Sequence, residues 1–129
     1  MRLLLELVPL PVTDVDAAIA FYRDGLGFTL DHDVRPADGV RVVQLTPPGS
    51  ACSIGLGSGL PVYGGVPGSL RGLHLVVDDL DAVRAQLLAR GVAVGDVHDF
   101  GGGVRGAELS DPDGNGWELQ ELAWRRSTP

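Results

Sequence analysis

The stretch Asp111-Pro112-Asp113-Gly114-Asn115-Gly116-Trp117-Glu118-Leu119-Gln120-Glu121 combines a dense turn signal with an alternating strand pattern. Pro112 fixes its own φ, while the Asp, Asn and Gly residues favour tight turn positions. Such a turn between apolar runs predicts a hairpin of two antiparallel strands. In the second strand, predicted at residues 117–122, Glu118 and Gln120 share the face opposite Trp117 and Leu119. These polar side chains indicate either a solvated strand face or a wet cavity that binds something.

Composition limits the class of protein. The 129 residues are enough for one domain or two small halves, and a chain that is 44% hydrophobic and 21% charged is typical of a globular protein. The net charge is −7 and the ten basic residues are scattered. We therefore expect no nucleic-acid partner.

The run Met1-Arg2-Leu3-Leu4-Leu5 briefly imitates a signal peptide, but Glu6, Pro9 and Pro11 interrupt it and no small-residue cleavage site follows. It is also too short to span a bilayer, so we expect no membrane partner. The single Cys52 excludes an internal disulfide and fits a reducing compartment. These features predict a soluble cytoplasmic protein.

The first half of the chain predicts the order β-α-β-β-β. A strand at residues 3–12 is apolar on both faces, and Thr13 or Asp14 can cap the helix that follows. That helix carries one apolar stripe and is stopped by Gly25 and Gly27. The stripe consists of Val15, Ala18, Ile19, Tyr22 and Leu26, and the next strands are predicted at residues 28–34, 40–46 and 51–56.

The second half repeats this order. It predicts a strand at residues 73–77, a helix at residues 80–89 capped by Asp79 and stopped by Gly91, and strands at residues 92–97, 104–110 and 117–122. Asp79 follows Asp14, and Gly114 follows Gly49, at one offset of 65 positions (79 − 14 and 114 − 49). An internal repeat without gaps predicts two equivalent modules.

We therefore expect an α+β fold in which two βαβββ modules form one curved mixed sheet, with both helices on the outer face and a central cleft. Residues 1–56 would be the first module, 57–71 a Gly/Pro-rich linker, 72–124 the second module and 125–129 a tail. The long apolar first strand leaves sheet surface that a second copy could cover, so we expect a homodimer.

Two features near strand ends are predicted to be peripheral. The run His98-Asp99-Phe100-Gly101-Gly102-Gly103 predicts a flexible loop, which is either a lid beside the cleft or a loose connection. His32 and His98 are expected to be exposed.

The strand, helix-cap and turn motifs of the two modules resemble those of the vicinal oxygen chelate superfamily. This superfamily includes glyoxalase I, bleomycin-resistance proteins, fosfomycin-resistance enzymes and extradiol dioxygenases. The resemblance extends from Leu5 to Leu122 and implies the two-module fold; it says less about activity because this fold hosts unrelated functions. Its motifs are Leu10-Pro11-Val12-Thr13-Asp14, Ala20-Phe21-Tyr22, Leu26-Gly27-Phe28, Val76-Val77-Asp78-Asp79-Leu80-Asp81, and Asp111-Pro112-Asp113-Gly114-Asn115 with Glu118.

Enzymes of that superfamily hold a divalent metal with four side chains, and the resemblance implies that the four positions here are Leu7, Ser53, Gly72 and Glu118. Leu and Gly side chains cannot coordinate a metal, and Ser is a poor ligand for zinc, iron or manganese. We therefore expect no metal and no cofactor.

His74 lies two residues past Gly72, so it is predicted to point to the same face. Across the pleat it could approach Glu118, and a His–carboxylate pair in a cleft is a plausible acid–base unit. The alternative is a histidine that hydrogen bonds satisfy in a partly wet core.

The sequence thus predicts a metal-free pocket that sequesters a small apolar or aromatic molecule, as bleomycin-resistance-type proteins do. The acidic net charge favours a cationic ligand. The alternative is a lyase, isomerase or dioxygenase-type enzyme that uses His74 and Glu118 as acid–base groups or partial metal ligands. The predicted ligand-binding residues are Leu5, Leu7, Pro9, Ser53, Gly72, His74, Val76, Glu118 and Gln120.

Overall fold

The computed structural model describes residues 1–125, and the chain divides into two units. The first unit comprises Met1–Ser69 together with the turn Pro112–Asn115, and the second comprises Leu70–Asp111 and the residues from Gly116 onward. Each module contributes four strands and one α-helix, which confirms the α+β fold of two βαβββ modules. The elements are β1 (Leu7–Pro9), α1 (Val15–Ile19), β2 (Thr29–Ala37), β3 (Val40–Thr46), β4 (Ser53–Ser58), β5 (Leu73–Val76), α2 (Leu80–Ala89), β6 (His98–Gly101), β7 (Val104–Ser110) and β8 (Gly116–Leu122).

The strands pair as two four-stranded sheets instead of one continuous ladder. The order is β1-β4-β3-β2 in the first sheet and β5-β8-β7-β6 in the second. In each sheet the first strand of the module runs parallel to the last, and the other neighbours are antiparallel. The alternating side chains of each strand therefore place one set against the helix and one set on the opposite face.

The buried apolar residues come from the helix-facing sides of the two sheets. In the first unit α1 packs against β4, and in the second α2 packs against β7 and β8. The core members are Val43, Leu45, Ile54, Leu56, Ala18, Ile19 and Tyr22 in the first unit and Ala107, Leu109, Trp117, Leu119, Leu80 and Leu87 in the second. Burial of these side chains is the main term that favours folding.

Both predicted helix caps are confirmed. The Asp14 carboxylate accepts a hydrogen bond from the Ala17 N–H at 3.0 Å, and that of Asp79 accepts one from the Ala82 N–H at 3.1 Å. Gly91, at φ +83°, follows the end of α2 as expected. The first helix is not α-helical throughout, because Ala20–Gly25 forms a π-helix, in which the Leu26 N–H bonds the carbonyl of Phe21.

The first strand is shorter than predicted. It covers only Leu7–Pro9, and Leu3, Leu4 and Leu5 are exposed. An apolar run indicated a strand over residues 3–12. Pro9 and Pro11 carry no N–H to extend the ladder toward residue 12, and residues 3–5 have no register partner on β4. The apolar character of residues 3–5 therefore does not reflect burial within this chain.

The predicted strand at residues 92–97 is also wrong, and the strand lies instead at β6, within the run predicted to be a loop. The apolar alternation in this segment arises because Val92 and Val94 are both buried; neither belongs to a strand ladder. Beside this segment the Gly95 N–H bonds the Glu108 carbonyl, while the Gly95 carbonyl accepts a bond from the Arg84 side chain. Three successive glycines with positive φ, 101–103, make the turn from β6 into β7.

Two further observations concern the ends of elements. β4 continues to Ser58, so it includes the first residues of the predicted linker. Beyond Arg125 the predicted tail falls outside the described residues. Within residues 1–125 no helix is long and apolar enough to cross a membrane.

Candidate functional site

His74 and Glu118 are direct register partners on the parallel strands β5 and β8. Both line a cavity of about 280 Å³ in the second unit, together with Gly72. The remaining lining residues are Arg71, Glu108, Leu109, Ser110, Gly116 and Trp117. Three of the predicted site residues therefore converge on one cavity wall.

The His74 ring is exposed, and its Nδ1 lies 2.6 Å from the carbonyl oxygen of Gly72. A neutral ring that donates from Nδ1 to this carbonyl leaves Nε2 as an acceptor. The local loop thus orients the imidazole, and its second nitrogen remains available for a ligand.

Glu118 is half-buried, and its side chain extends over Gly106 on β7, where an added Cβ would overlap Oε1. On the same strand, Glu108 is the register partner of Glu118. His74, Glu118 and Glu108 therefore stand at one level across three neighbouring strands. Two carboxylates at the cavity wall give it a negative character, which Arg71 only partly offsets.

Glu108 was missed by sequence reasoning. The turn that joins β7 to β8 pairs Ser110 with Gly116, so counting outward along the hairpin brings Glu108 opposite Glu118. The sequence predicted the hairpin. Fixing its register from the turn would have identified Glu108 as the partner of Glu118.

In the first unit, Ser53 stands at the position equivalent to Glu118 and belongs to a closed network of polar side chains. Leu7 pairs with Ser53, and Pro9 with Gly55. Ser53 is only 4% exposed, and its hydroxyl lies 3.0 Å from Nε2 of Gln44 and 2.6 Å from the hydroxyl of Thr46. The Leu7 side chain covers Gly55, where an added Cβ would lie 2.8 Å from a Leu7 methyl. This part of the first sheet is thus occupied by its own side chains.

The other predicted ligand-binding residues lie elsewhere. Val76 and Gln120 are partners two residues further along the β5–β8 ladder and do not line the cavity. Leu5 is exposed ahead of β1, and Leu7, Pro9 and Ser53 belong to the first unit.

The two modules differ in register by two residues. Ser53 faces Leu7, but Glu118 faces His74 and not Gly72, which corresponds to Leu7 in the repeat. The constant offset of the caps and turns therefore does not extend to the pairing of the first strand. This shift brings His74 opposite Glu118, the one carboxylate among the four positions equivalent to the family's metal ligands.

The donor set does not fit the divalent metal of the family. Among residues 1–125 no three His, Cys, Asp or Glu side chains are grouped so that they could hold a metal ion. Leu7 offers no donor atom, and the Ser53 hydroxyl is already engaged by neighbouring side chains.

A larger cavity of about 470 Å³ lies in the first unit beside Arg35 and Arg41. Arg41 is ion-paired with Asp16 at 2.9 Å and Asp33 at 2.8 Å. Its hydrogen bond holds the pKa of the Asp33 carboxyl below its usual range, with a smaller contribution from the Arg41 charge. The charge of Arg41 is thus neutralised within the fold, and charged or hydroxyl-bearing residues make up most of the cavity lining, unlike the mostly apolar lining of a typical small-molecule site.

The fold and these motifs define the class of protein. The family model of the Glyoxalase/Bleomycin resistance protein/Dioxygenase superfamily matches residues 4–119, and the chain belongs to this superfamily. Among curated proteins, none matches the chain.

Several solved structures resemble the chain over almost its whole length. One is TnmS3, an antibiotic binding protein from Streptomyces sp. CB03234, with 38% identity, a TM-score of 0.82, and coverage of 95% of this chain and 98% of that one. A glyoxalase/bleomycin resistance protein from the same organism has 41% identity, a TM-score of 0.75, and coverage of 89% and 97%. A superfamily member from Sphaerobacter thermophilus DSM 20745 has 31% identity, a TM-score of 0.80, and coverage of 93% and 98%.

Proposed function

We propose that this chain binds a small, largely apolar or aromatic molecule without a metal, and that it acts in the cytoplasm as a homodimer. The observation that carries the proposal is the cavity beside His74 and Glu118, in a chain that lacks the other ligands of the family's metal site. Similarity to a protein named as antibiotic binding supports sequestration as the mode of action.

The charges at the cavity suggest the kind of ligand. Glu108 and Glu118 outnumber the single guanidinium of Arg71 there, and the whole chain is acidic. Trp117 and Leu109, whose side chains are almost entirely buried, border the cavity at its apolar side. A flat aromatic molecule with a positive charge would satisfy both features, because a few convergent polar groups in an apolar pocket fix the orientation of a ligand.

The test is a fluorescence titration in a Trp124→Phe background, which leaves Trp117 at the cavity as the only tryptophan. The probes are bleomycin, the cationic aromatic doxorubicin and its anionic counterpart anthraquinone-2-sulfonate. We expect saturable quenching that favours the cations, and Glu118→Gln should weaken cation binding about tenfold, because a charge-assisted contact is lost.

Asp38→Asn is the matched control, since it removes one negative charge from an exposed position in the first unit. It should leave all affinities unchanged. Failure of every probe to bind the folded protein saturably would contradict the proposal.

A second candidate is an enzyme of the lyase, isomerase or dioxygenase type, which the pairing of His74 with Glu118 at a cavity favours. Here His74 and Glu118 would move a proton or serve as partial metal ligands. His74→Gln keeps most of the side-chain volume and removes the titratable group. An enzyme would lose about a hundredfold or more in turnover with little change in substrate affinity, whereas a sequestering protein would have no turnover to lose.

A further inference from the structure

The predicted linker between the modules folds back onto the first sheet at Tyr63. Beyond β4 the chain forms a short 3₁₀ turn, Pro61–Tyr63, which contacts β4. A Cβ added to Gly57 on β4 would lie 2.5 Å from the Tyr63 ring, and it would also meet the carbonyl oxygen of Arg41. The aromatic ring therefore lies directly against the backbone of Gly57, because a glycine has no side chain to keep it away.

The ring covers the face of the sheet that is turned away from α1. Leu56 is fully buried in the core, so the alternation along β4 directs the neighbouring Gly57 to the opposite face. Val42 is the register partner of Gly57, and Val34 is that of Val42. These three residues, the apolar row, stand at one level across β4, β3 and β2. Tyr63 occupies one end of the row, and Val34 at the other end is 50% exposed.

Residues 60–64, which we call the strap, have few attachments to the sheet besides this ring. Among the described residues, the backbone hydrogen bonds of the strap are local. The N–H groups of Tyr63 and Gly64 donate to the carbonyls of Leu60 and Pro61, respectively, both at 3.0 Å. These bonds stay intact if the strap moves as a unit. A segment with few buried contacts and only local hydrogen bonds opens at low cost in free energy.

We propose that the strap is an autoinhibitory device: it lifts from the first sheet, and the apolar row then binds a flat, uncharged aromatic group in place of the Tyr63 ring. The ring itself shows the kind of occupant, because it already fills the space over Gly57. None of the three residues of the row is charged, which favours an uncharged group. This site belongs to the first unit, whereas the cavity beside His74 belongs to the second, so the inference goes beyond the proposed function.

Removal of the ring tests the competition between strap and ligand, with the uncharged probe 2-naphthol followed by its fluorescence anisotropy. A closed strap lowers the apparent affinity in proportion to the fraction of open molecules. Tyr63→Ala should therefore tighten binding at least about threefold, whereas Tyr63→Phe keeps the ring and should match the wild type. Val62→Ala is the matched control, because it removes a side chain of the same strap that is 53% exposed. Circular dichroism checks that each variant is folded.

A second substitution tests whether the probe binds at the apolar row. Val34→Asp places a carboxylate at the half-exposed end of the row, and in the Tyr63→Ala background it should abolish the gain in affinity, because a charge there is costly to cover with an aromatic group. Val66→Asp is the control for the added charge, since Val66 is 72% exposed and lies outside both the strap and the row. It should leave the gain in place.

The strap of the otherwise unaltered chain can be observed directly, because the chain has only two tyrosines. Tyr22 is fully buried and Tyr63 is half-buried. Labelling with 3-fluorotyrosine gives one ¹⁹F resonance for each, and Tyr63→Phe assigns them. We expect 2-naphthol to shift the Tyr63 resonance toward that of free 3-fluorotyrosine and to leave the Tyr22 resonance in place.

Three results would overturn the strap: equal affinities of Tyr63→Ala and the wild type, a gain that survives Val34→Asp, or a Tyr63 resonance that stays fixed up to the solubility limit of 2-naphthol. None of them would affect the proposed function, which depends on quenching of Trp117 by cationic probes. Conversely, a strap that opens as expected would stand even if no cationic probe were bound in the second unit.

Discussion

Gly106 leaves a gap on the open face of β7, and the carboxylate of Glu118 lies across it. A methyl group at this position would overlap Glu118 Oε1 and would lie 3.1 Å from the ring of Phe100. The carboxylate is the far end of a flexible side chain, so it can move aside at little cost to folding. The missing side chain at Gly106 thus affects the position of Glu118 more than it affects stability.

We expect Gly106→Ala to weaken binding of the cationic probe several-fold, with a change in unfolding free energy of less than about 1 kcal/mol. Tryptophan quenching and urea unfolding measure the two effects. Gly95→Ala is the control, because its added methyl group makes only an ordinary contact, 3.5 Å from the Glu108 carbonyl. Equal effects of both variants on affinity would argue against a role for the Glu118 position.

At the scale of elements, α2 is held at its start by two carboxylates. Asp79 caps it, and the buried Glu121 on β8 accepts a bond from the Leu80 N–H at 2.9 Å. Both carboxylates lie where the helix dipole favours negative charge and where N–H groups lack partners within the helix. Arg105 lies 3.4 Å from Glu121 and also pairs with Asp81 at 3.1 Å, so β7, β8 and the helix are joined by charged groups.

We expect Asp79→Ala to lower the free energy of unfolding by about 1 kcal/mol, because the Ala82 N–H loses its acceptor. Asp79→Ser keeps a capping oxygen and should be close to the wild type. Urea unfolding followed by circular dichroism compares them. If serine destabilised as much as alanine, capping would not be what Asp79 contributes.

At the scale of the whole molecule, the turn between β7 and β8 belongs to the first unit although its flanking strands belong to the second. Asn115 is fully buried, and its amide donates to the Pro11 carbonyl at 2.8 Å. The Thr13 N–H donates to the Asp113 carboxylate at 3.1 Å, and the Thr13 hydroxyl bonds the same group. The residues of this turn thus hold the segment that leads into α1.

We expect the purified protein to retain zinc, nickel, iron and manganese only in substoichiometric amounts, because only Glu118 remains of the family's ligand positions. Elemental analysis after dialysis measures this, and unfolding temperature with and without EDTA provides the control. A stoichiometric metal, or a clear fall in unfolding temperature with EDTA, would contradict metal-free binding, since a bound metal stabilises the folded state.

The sequence by itself determined the two modules, both helix caps and the β7–β8 hairpin. These depend on local patterns: side-chain periodicity, capping residues and turn residues. The sequence-based prediction misplaced β6 and made β1 too long. An alternating pattern or an apolar run indicates burial, but it does not identify the strand that would supply the hydrogen-bonding partner.

Only the tertiary structure decided which strands are neighbours and in what register. The two-residue shift that places His74 opposite Glu118, the position of Glu108 at the same level, and the use of Ser53 in a closed network all depend on partners distant in sequence. Register is set by how strands pack and pair across the sheet, and a change of one residue would turn every side chain to the other face.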